Sequence, residues 1–295
     1  MLTLGIDGGA TAAKWALRDG NGTIKEGISE PIDGHLYRPE SKSRLLKVLK
    51  EIKAAAGTQK IVSVYAGITG TSSDPENNGE IIEIFQSIFG EVEIEVVIDM
   101  VLGYRAHFEF GEGIFLYAGT GSIAIYMTET GKVVRAGGWG YLLGDEGAGY
   151  WIGREAIRRT LTAIDTRTAI TKGSLEAEVL DFTKCKDWNG IKEYVYSKDR
   201  SAIAALAKPV IALAKKGDLL AQDILAIAAD YLIDLVLQID AVTAKSDLPV
   251  IFAGGIADAG EPIIDLINIG IGREVSLSKV RIANRAAEIA AENLI

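Results

Sequence analysis

The chain has 295 residues, of which 48% are hydrophobic and 24% are charged, a balance that predicts one large or two ordinary globular domains. Its formal net charge is −9 and no Lys/Arg cluster stands out, which argues against a nucleic-acid-binding protein. The single cysteine, Cys185, excludes an internal disulfide and a cysteine-ligated metal cluster. The sequence shows no signal-peptide pattern and no run of about 18 apolar residues. We therefore expect a soluble, cytoplasmic protein without nucleic-acid or membrane partners.

Short apolar strands dominate the first part of the chain. The predicted strands cover residues 2–6, 12–18, 23–28, 61–66 and 93–98. The sequence DGNG at 19–22 is a strong hairpin turn. Predicted helices cover residues 41–56, 80–89 with Asn78 as its cap, and 99–107.

One segment of the chain occurs twice. Residues 113–138 (GIFLYAGTGSIAIYMTETGKVVRAGG) resemble residues 2–27 (LTLGIDGGATAAKWALRDGNGTIKEG). Each copy has an apolar strand, a glycine-rich turn with a threonine, a second strand, a glycine-centred turn and a third strand. Internal repetition of this kind predicts two related lobes.

Helical patterns dominate the second part of the chain. The predicted helices cover residues 148–165, 175–183, 201–216, 219–244 and, at the end of the chain, 284–294. Asp218 is the expected N-cap of the long helix. A buried strand, PVIFAGG, interrupts the helices at 249–255.

Three glycine turns follow apolar strands: IDGGAT at 6–11, AGTGS at 118–122 and AGG at 253–255. Glycine lets the backbone reach positive φ, and successive N–H groups in such a turn form a concavity for anions. An acidic chain must hold an anion by local groups of this kind. Each turn alone is also compatible with an ordinary reverse turn. Two in corresponding positions of a repeat, with a third at a later strand end, indicate a clamp for the phosphates of a nucleotide.

Two aspartates lie at strand ends near these turns. Asp7 precedes the first turn, and a carboxylate beside a phosphate is repelled unless a cation lies between them, which predicts Mg²⁺ bound through water. A plain hairpin turn is the alternative. Asp99 directly follows the predicted strand 93–98, at the edge where ligands of α/β sheets collect. It suits a general base for a substrate hydroxyl or a cap for the next helix, and both roles are compatible.

The segment GGWGYLLGDEGAGYWIG at 137–153 places glycines and aromatic residues around two carboxylates, Asp145 and Glu146. The glycines allow close approach of a small polar ligand, and the aromatic residues pack the loop against the core. Fixed carboxylates suit sugar hydroxyls, each of which donates a hydrogen bond. The alternative is a capped helix start with stacked aromatic residues.

Taken together, these motifs resemble the N-acetylglucosamine kinase group of the BadF/BadG/BcrA/BcrD ATPase family, within the actin–Hsp70–sugar kinase superfamily. GIDGGAT resembles the first phosphate loop of the family, AGTGS its second, FAGGIA its adenosine loop, and 137–153 its most specific signature. The resemblance implies an α/β protein of two actin-like (ribonuclease H-like) lobes with an interlobe cleft. The lobes would comprise residues 1–111 with 281–295, and 112–280 with a helical insertion.

The resemblance also implies a function and its residues. The function is an ATP- and Mg²⁺-dependent kinase for a hexose or amino sugar, of the N-acetylglucosamine or glucosamine type, at the 6-hydroxyl. Asp99 would be the catalytic base, and a homodimer is implied at the level of the family. The phosphate-binding residues would be Asp7, Gly8, Gly9, Ala10, Thr11, Gly119, Thr120, Gly121 and Ser122, with Gly254 and Gly255 at the adenosine. The substrate-binding residues would be Thr69, Asp99, Gly121, Gly138, Asp145 and Glu146.

Two regions depart from the family pattern. Family members often carry T-K-T after the first loop, where residues 11–13 read TAA, which predicts weaker phosphate affinity. The loop 29–41 lacks the Asn of amino-sugar kinases. Asp33, His35 and Tyr37 offer other polar contacts, although His35 is more typical of a surface loop.

Two other functions are open to a chain with these motifs. A nucleotide-binding ATPase or regulator with little sugar kinase activity fits the altered first loop. An iron–sulfur activator of a dehydratase, known in the same family, is disfavoured because Cys185 is alone.

Overall fold

The protein is described by a computed structural model that covers residues 1–9, 11–72, 75–260 and 262–294. The chain forms two compact units, Met1–Glu109 with Lys279–Ile295, and Phe110–Ser278. The predicted domain boundaries lie two residues from these bounds. Within the described ranges, no helix is long and apolar enough to cross a membrane.

The first unit is built on a five-stranded sheet. Its strands are β1 (Leu2–Gly8), β2 (Ala13–Asp19), β3 (Gly22–Ser29), β4 (Ile61–Ile68) and β5 (Glu93–Val97). They lie in the order β3-β2-β1-β4-β5, with β1 to β3 antiparallel and β4 and β5 parallel to β1. The register aligns Asp7 with Gly67, and Gly67 with Val97. The loops that follow β1, β4 and β5 therefore leave the sheet at the same edge.

Three helices accompany this sheet in the first part of the chain: α1 (Pro39–Ala56), α2 (Gly79–Phe89) and α3 (Asp99–Arg105). The prediction that the side chain of Asn78 caps α2 is wrong. Asn78 precedes the helix, but its side chain makes no capping hydrogen bond. Instead its Oδ1 accepts from the backbone N–H of Ser72 at 3.0 Å, so the amide orders the loop after β4.

The second unit repeats the architecture of the first. Its strands are β6 (Ile114–Ala118), β7 (Ser122–Met127), β8 (Val133–Gly137), β9 (Val250–Ala253) and β10 (Val275–Leu277). They lie in the order β10-β9-β6-β7-β8, with β6 to β8 antiparallel and β9 and β10 parallel to β6. The same order and directions in both sheets confirm the repeat found in the sequence. Strand β10 is short and was not predicted.

Helices cover the second sheet and form its large core. They are α4 (Gly149–Asp165), α5 (Leu175–Thr183), α6 (Trp188–Ser197), α7 (Arg200–Ala204), α8 (Ala207–Lys215), α9 (Leu219–Thr243) and α10 (Ile263–Ile271). Asp218 caps α9 as predicted, with its Oδ1 accepting from Ala221 N–H at 2.9 Å. The predicted single helix at 201–216 is wrong, since α7 and α8 are separate. Pro209 lacks an N–H and cannot donate to the carbonyl of Ala205, which interrupts the ladder there.

The last helix, α11 (Ile282–Glu292), belongs to the first unit. It packs on β1 so closely that a Cβ on Gly5 would lie 2.1 Å from the carbonyl oxygen of Ala283. The hydroxyl of Thr3 donates to the carbonyl of Ala287 at 2.8 Å. A glycine at position 5 therefore lets the helix seat directly on the central strand.

Candidate active site

The first glycine turn joins β1 to β2 in the first unit. The N–H of Gly9 donates to the carbonyl of Ala12 at 3.1 Å and closes the turn. The carbonyl of Gly8 accepts from the N–H of Thr69 at 2.8 Å, which ties this turn to the loop after β4. Thr11 is exposed, and Ala10 lies outside the described residues.

Asp7 lies opposite Lys14 in the antiparallel register of β1 and β2. Paired residues of adjacent strands project from the same face of a sheet, so the side chains of Asp7 and Lys14 lie on one face. Burial raises the pKa of Asp7, and the charge of Lys14 acts in the opposite direction. Lys14 was not among the predicted site residues, although the register of the β1–β2 hairpin places it opposite Asp7.

Asp99 is the first residue of α3, directly after the end of β5. Its Oδ1 accepts from the N–H of Met100 at 3.0 Å, and its carboxylate also accepts a hydrogen bond from the hydroxyl of Thr69. Burial raises the pKa of Asp99, the Met100 N–H lowers it, and the charge of Asp7 raises it again. The net shift is upward. Asp7, Thr69 and Asp99 therefore form one cluster at the carboxyl edge of the first sheet.

The loop between β3 and α1 packs beside this cluster. The N–H of Gly34 donates to the carbonyl of Thr69 at 2.9 Å, and the ring of His35 lies against Gly70. Asp33 is the hub of the loop, because His35, Ser41 and Arg44 all donate to its carboxylate. These hydrogen bonds lower the pKa of Asp33 despite the opposing effect of burial. His35 is thus part of an ordered hydrogen-bond network next to Thr69, and its side chain is 41% exposed at the surface of this loop.

The second glycine turn joins β6 to β7 in the second unit. The N–H of Gly119 donates to the carbonyl of Gly121 at 2.9 Å. The start of α4 is tied to the same turn. The N–H of Gly149 donates to the carbonyl of Gly119 at 2.8 Å, and the N–H of Tyr150 donates to the carbonyl of Thr120 at 3.1 Å. The turn is therefore held from both sides, by its own hairpin and by a helix.

Asp145 lies buried against this turn. Its backbone is left-handed, with φ of 65°, a conformation that is uncommon for a residue other than glycine. Its Oδ1 accepts from the N–H of Ser122 at 3.3 Å, and a Cβ on Gly121 would lie 2.5 Å from its Oδ2. Burial raises the pKa of Asp145, whereas the Ser122 N–H and the charge of Arg200 lower it. Glycine at 121 thus makes room for this carboxylate.

The aromatic residues of 137–153 differ in how far they are buried. Trp151 is buried in the core of the second unit, whereas Trp139 is 60% exposed. Tyr141 and Tyr150 meet edge to face, with ring centroids 5.1 Å apart. The alternative of a capped helix start is wrong, because α4 begins at Gly149 without a side-chain cap.

Glu146 and Gly138 complete the same loop. The carbonyl of Glu146 accepts from the Ser122 hydroxyl at 2.7 Å, and the N–H of Gly138 donates to the carbonyl of Ser122 at 3.0 Å. The side chain of Glu146 is half-buried. The predicted substrate-binding residues of the second unit therefore converge on Ser122.

The third glycine turn follows β9 and contacts the second turn. Gly254 has φ of 99°, and a Cβ there would lie 2.4 Å from the carbonyl oxygen of Ala118. The N–H of Ile256 donates to the same oxygen at 3.0 Å. Gly255 is exposed, and a Cβ on it would meet nothing. Two of the three predicted turns thus share one edge of the second sheet.

Asp7 fits a divalent cation that is bound through water. In the described part of the chain, no three His, Cys, Asp or Glu side chains could together hold a metal ion. Burial disfavours the charged form of Asp7, and a nearby cation would favour it. Mg²⁺ keeps several waters and commonly uses one or two carboxylates with substrate phosphates.

Comparison with known proteins places the chain in a family. The chain matches the BadF/BadG/BcrA/BcrD ATPase family over residues 4–287. It is 31% identical over 226 residues to the N-acetylmuramic acid/N-acetylglucosamine kinase of Clostridium acetobutylicum, covering 73% of each chain. It is 24% identical over 288 residues to the N-acetyl-D-glucosamine kinase of Dictyostelium discoideum, covering 90% of this chain and 89% of that one.

A solved structure shares the fold. An N-acetylglucosamine kinase candidate from Chromobacterium violaceum superposes with a TM-score of 0.77 at 24% identity, covering 98% of both chains. This likeness confirms the predicted α/β fold of two actin-like lobes, whereas the interlobe cleft stays a prediction. The family match, which extends over nearly all of the sequence, settles the affiliation: the chain belongs to the BadF/BadG/BcrA/BcrD ATPase family.

Proposed function

We propose that the protein is an ATP-dependent sugar kinase that phosphorylates a hexose or amino sugar, of the N-acetylglucosamine or glucosamine type, at its 6-hydroxyl. The observation that carries the proposal is the cluster of Asp99, Thr69 and Asp7 at the end of three strands. The named activities of the two curated relatives support the same class of substrate.

Asp99 has the environment of a general base. Burial raises its pKa above that of an ordinary aspartate, so its carboxylate binds a proton more readily than an exposed aspartate does. In the proposed reaction Asp99 accepts the proton of the sugar 6-hydroxyl while the oxygen of that hydroxyl attacks the γ-phosphorus of ATP. The bond from the γ-phosphorus to its bridging oxygen breaks, and ADP leaves. Thr69 holds the carboxylate in place through its hydroxyl.

The glycine turns are proposed to hold the phosphates and the adenosine. Gly8, Gly9 and Thr11 supply the first turn, Gly119, Thr120 and Ser122 the second, and Gly254 and Gly255 the third. Mg²⁺, when bound, neutralises phosphate charge and orients the γ-phosphate. Asp7 is proposed to position that ion through its waters. In the second unit, the Asp145 carboxylate accepts hydrogen bonds from sugar hydroxyls, with Gly121, Gly138 and Glu146 around it.

Lys14 is expected to support the phosphates where residues 12 and 13 lack a cation. Lys14→Met should raise KM for ATP about tenfold to hundredfold, because a charge-assisted contact contributes roughly 1.5–3 kcal/mol, and should leave KM for the sugar within about twofold. It should also raise the pKa of Asp7 further, because the charge of Lys14 lowers that pKa. Steady-state kinetics with varied ATP·Mg²⁺ measures the effect. Lys25→Met is the control, since Lys25 is an exposed lysine of β3. Equal KM values for the variant and the wild type would exclude Lys14 from the phosphate site.

The proposed function is tested by ADP release from ATP·Mg²⁺ with a panel of sugars. The panel contains glucosamine, N-acetylglucosamine, N-acetylmuramic acid, glucose and N-acetylmannosamine. We expect one or more of the amino sugars to raise turnover by orders of magnitude. If ATP binds but no sugar stimulates turnover, the protein is an ATPase or regulator of this family instead.

A further inference from the structure

Two arginines flank the loop 137–146 of the second unit and use their guanidinium groups differently. Arg135 donates to the carbonyl of Gly138 at 3.4 Å. Arg200, the first residue of α7, lies over the ring of Tyr141, with its Cζ 5.9 Å from the ring centroid. A cation–π contact of this kind orients the guanidinium without using its N–H donors.

Arg200 also differs from the arginines of α4. Arg158 pairs with Glu155 at 2.8 Å, and Arg159 pairs with Asp223. Arg200 is exposed, and the ion pairs found among the described residues do not include it. A guanidinium has five N–H donors in a planar fork that matches a carboxylate. An oriented, exposed fork with unused donors is therefore suited to a carboxylate from a ligand.

The local charges make such a fork useful. Asp145 and Glu146 are adjacent in the loop, and the chain carries a net charge of −9, so an anionic sugar is repelled unless a cation lies beside it. Arg200 is near enough to Asp145 for its charge to lower the pKa of that carboxyl group. The arginine and the proposed sugar-binding carboxylate therefore belong to the same local environment.

We propose that Arg200 is a specificity residue that binds the carboxylate of an acidic amino sugar while Asp145 binds hydroxyls of the sugar ring. The inference rests on the proposed kinase function and adds the substrate class. Tyr141 holds the plane of the guanidinium, so both N–H donors of the fork can meet the two carboxylate oxygens. Acidic and neutral amino sugars would thus be distinguished by one side chain.

N-acetylmuramic acid and N-acetylglucosamine test the proposal, because the first carries a lactyl ether with one carboxylate and the second does not. The measurement is kcat/KM for each sugar with the wild type, Arg200→Gln, Arg200→Lys and the control Arg158→Gln. Arg200→Gln should lower kcat/KM for N-acetylmuramic acid about tenfold to hundredfold and for N-acetylglucosamine by less than about threefold. Arg200→Lys should fall between, since lysine keeps the charge and loses the fork. The control should match the wild type on both sugars.

The other outcomes separate the inference from the function on which it rests. Equal losses on both sugars would overturn the inference and show that Arg200 acts only on Asp145. Turnover of N-acetylglucosamine without turnover of N-acetylmuramic acid by the wild type would also overturn it, while the kinase function stands. Turnover of neither sugar, nor of any other in the panel, would overturn the proposed function itself.

Discussion

Asp99→Asn is expected to lower kcat for sugar phosphorylation by about a thousandfold, within the 10²–10⁴ range of general-base catalysis. Asparagine keeps the shape of the side chain and its hydrogen bond from Met100 N–H, but it cannot accept the proton of the sugar hydroxyl. KM for ATP should change by less than about twofold. Rapid-mixing and steady-state kinetics with the accepted sugar measure both quantities.

The pH dependence gives a second readout of the same residue. A general base must be ionised to accept a proton, and the pKa of Asp99 is raised. On acidification, kcat/KM of the wild type should therefore begin to fall at a higher pH than it would with a base of the ordinary aspartate pKa, about 3.9. This acidic limb should be absent from the residual activity of Asp99→Asn. A limb unchanged in the variant would assign the ionisation to another group.

The thermal stability of Asp99→Asn shows whether the variant still folds normally. A carboxyl group whose pKa is raised in the folded state favours folding when protonated, and that contribution is lost as the pH rises through the folded pKa. Above that pH the ionised, half-buried Asp99 is therefore destabilising relative to a neutral side chain of the same shape. Asp99→Asn should have a Tm equal to or above that of the wild type. A lower Tm would mean that the lost activity reflects damage to the fold.

Gly121→Ala is expected to lower kcat/KM for the sugar about a hundredfold and to leave KM for ATP less affected. The added Cβ would lie 2.5 Å from Oδ2 of Asp145, a distance that forces the carboxylate to move. Asp145 is anchored by Ser122 N–H and is buried, so it cannot turn into solvent without losing that hydrogen bond. Misplacing a binding group by about 1 Å can cost on the order of a hundredfold in rate.

Two variants make this prediction specific. Asp145→Asn removes the charge without adding volume, and it should also weaken sugar binding if the carboxylate accepts hydrogen bonds from hydroxyls. Gly79→Ala adds the same methyl group where nothing lies within 4 Å, and it should behave as the wild type. Normal sugar kinetics in both Gly121→Ala and Asp145→Asn would remove Asp145 from the proposed site.

Much of the fold was predictable because strand patterns and glycine turns are local signals. The two copies of the β-turn-β-turn-β unit were visible at 2–27 and 113–138, and both sheets show them. Helix α6 was missed, although Asp187 caps it by accepting from Gly190 N–H at 3.0 Å. Among the residues of α6 only Ile191 is buried, so the segment lacks the apolar stripe that marks a helix packed on a core.

The site was predictable where its residues adjoin strand ends and not where they come from elsewhere in the chain. Asp7 and Asp99 each follow an apolar run, which marks the carboxyl edge of a sheet. Lys14 required the hairpin register, and Arg200 meets Tyr141 across a long stretch of sequence with no shared pattern. Contacts of this kind arise from tertiary packing and carry no local signal.

The measurement that tests the central claim most directly is identification of the phosphorylated product. The protein is incubated with ATP·Mg²⁺ and the sugar that stimulates turnover, and the product is examined by ³¹P–¹H correlation NMR. The proposal predicts a phosphomonoester coupled to the C6 methylene protons, and no product from the 6-deoxy sugar. Phosphate on the anomeric carbon, or inorganic phosphate alone, would contradict a 6-hydroxyl kinase.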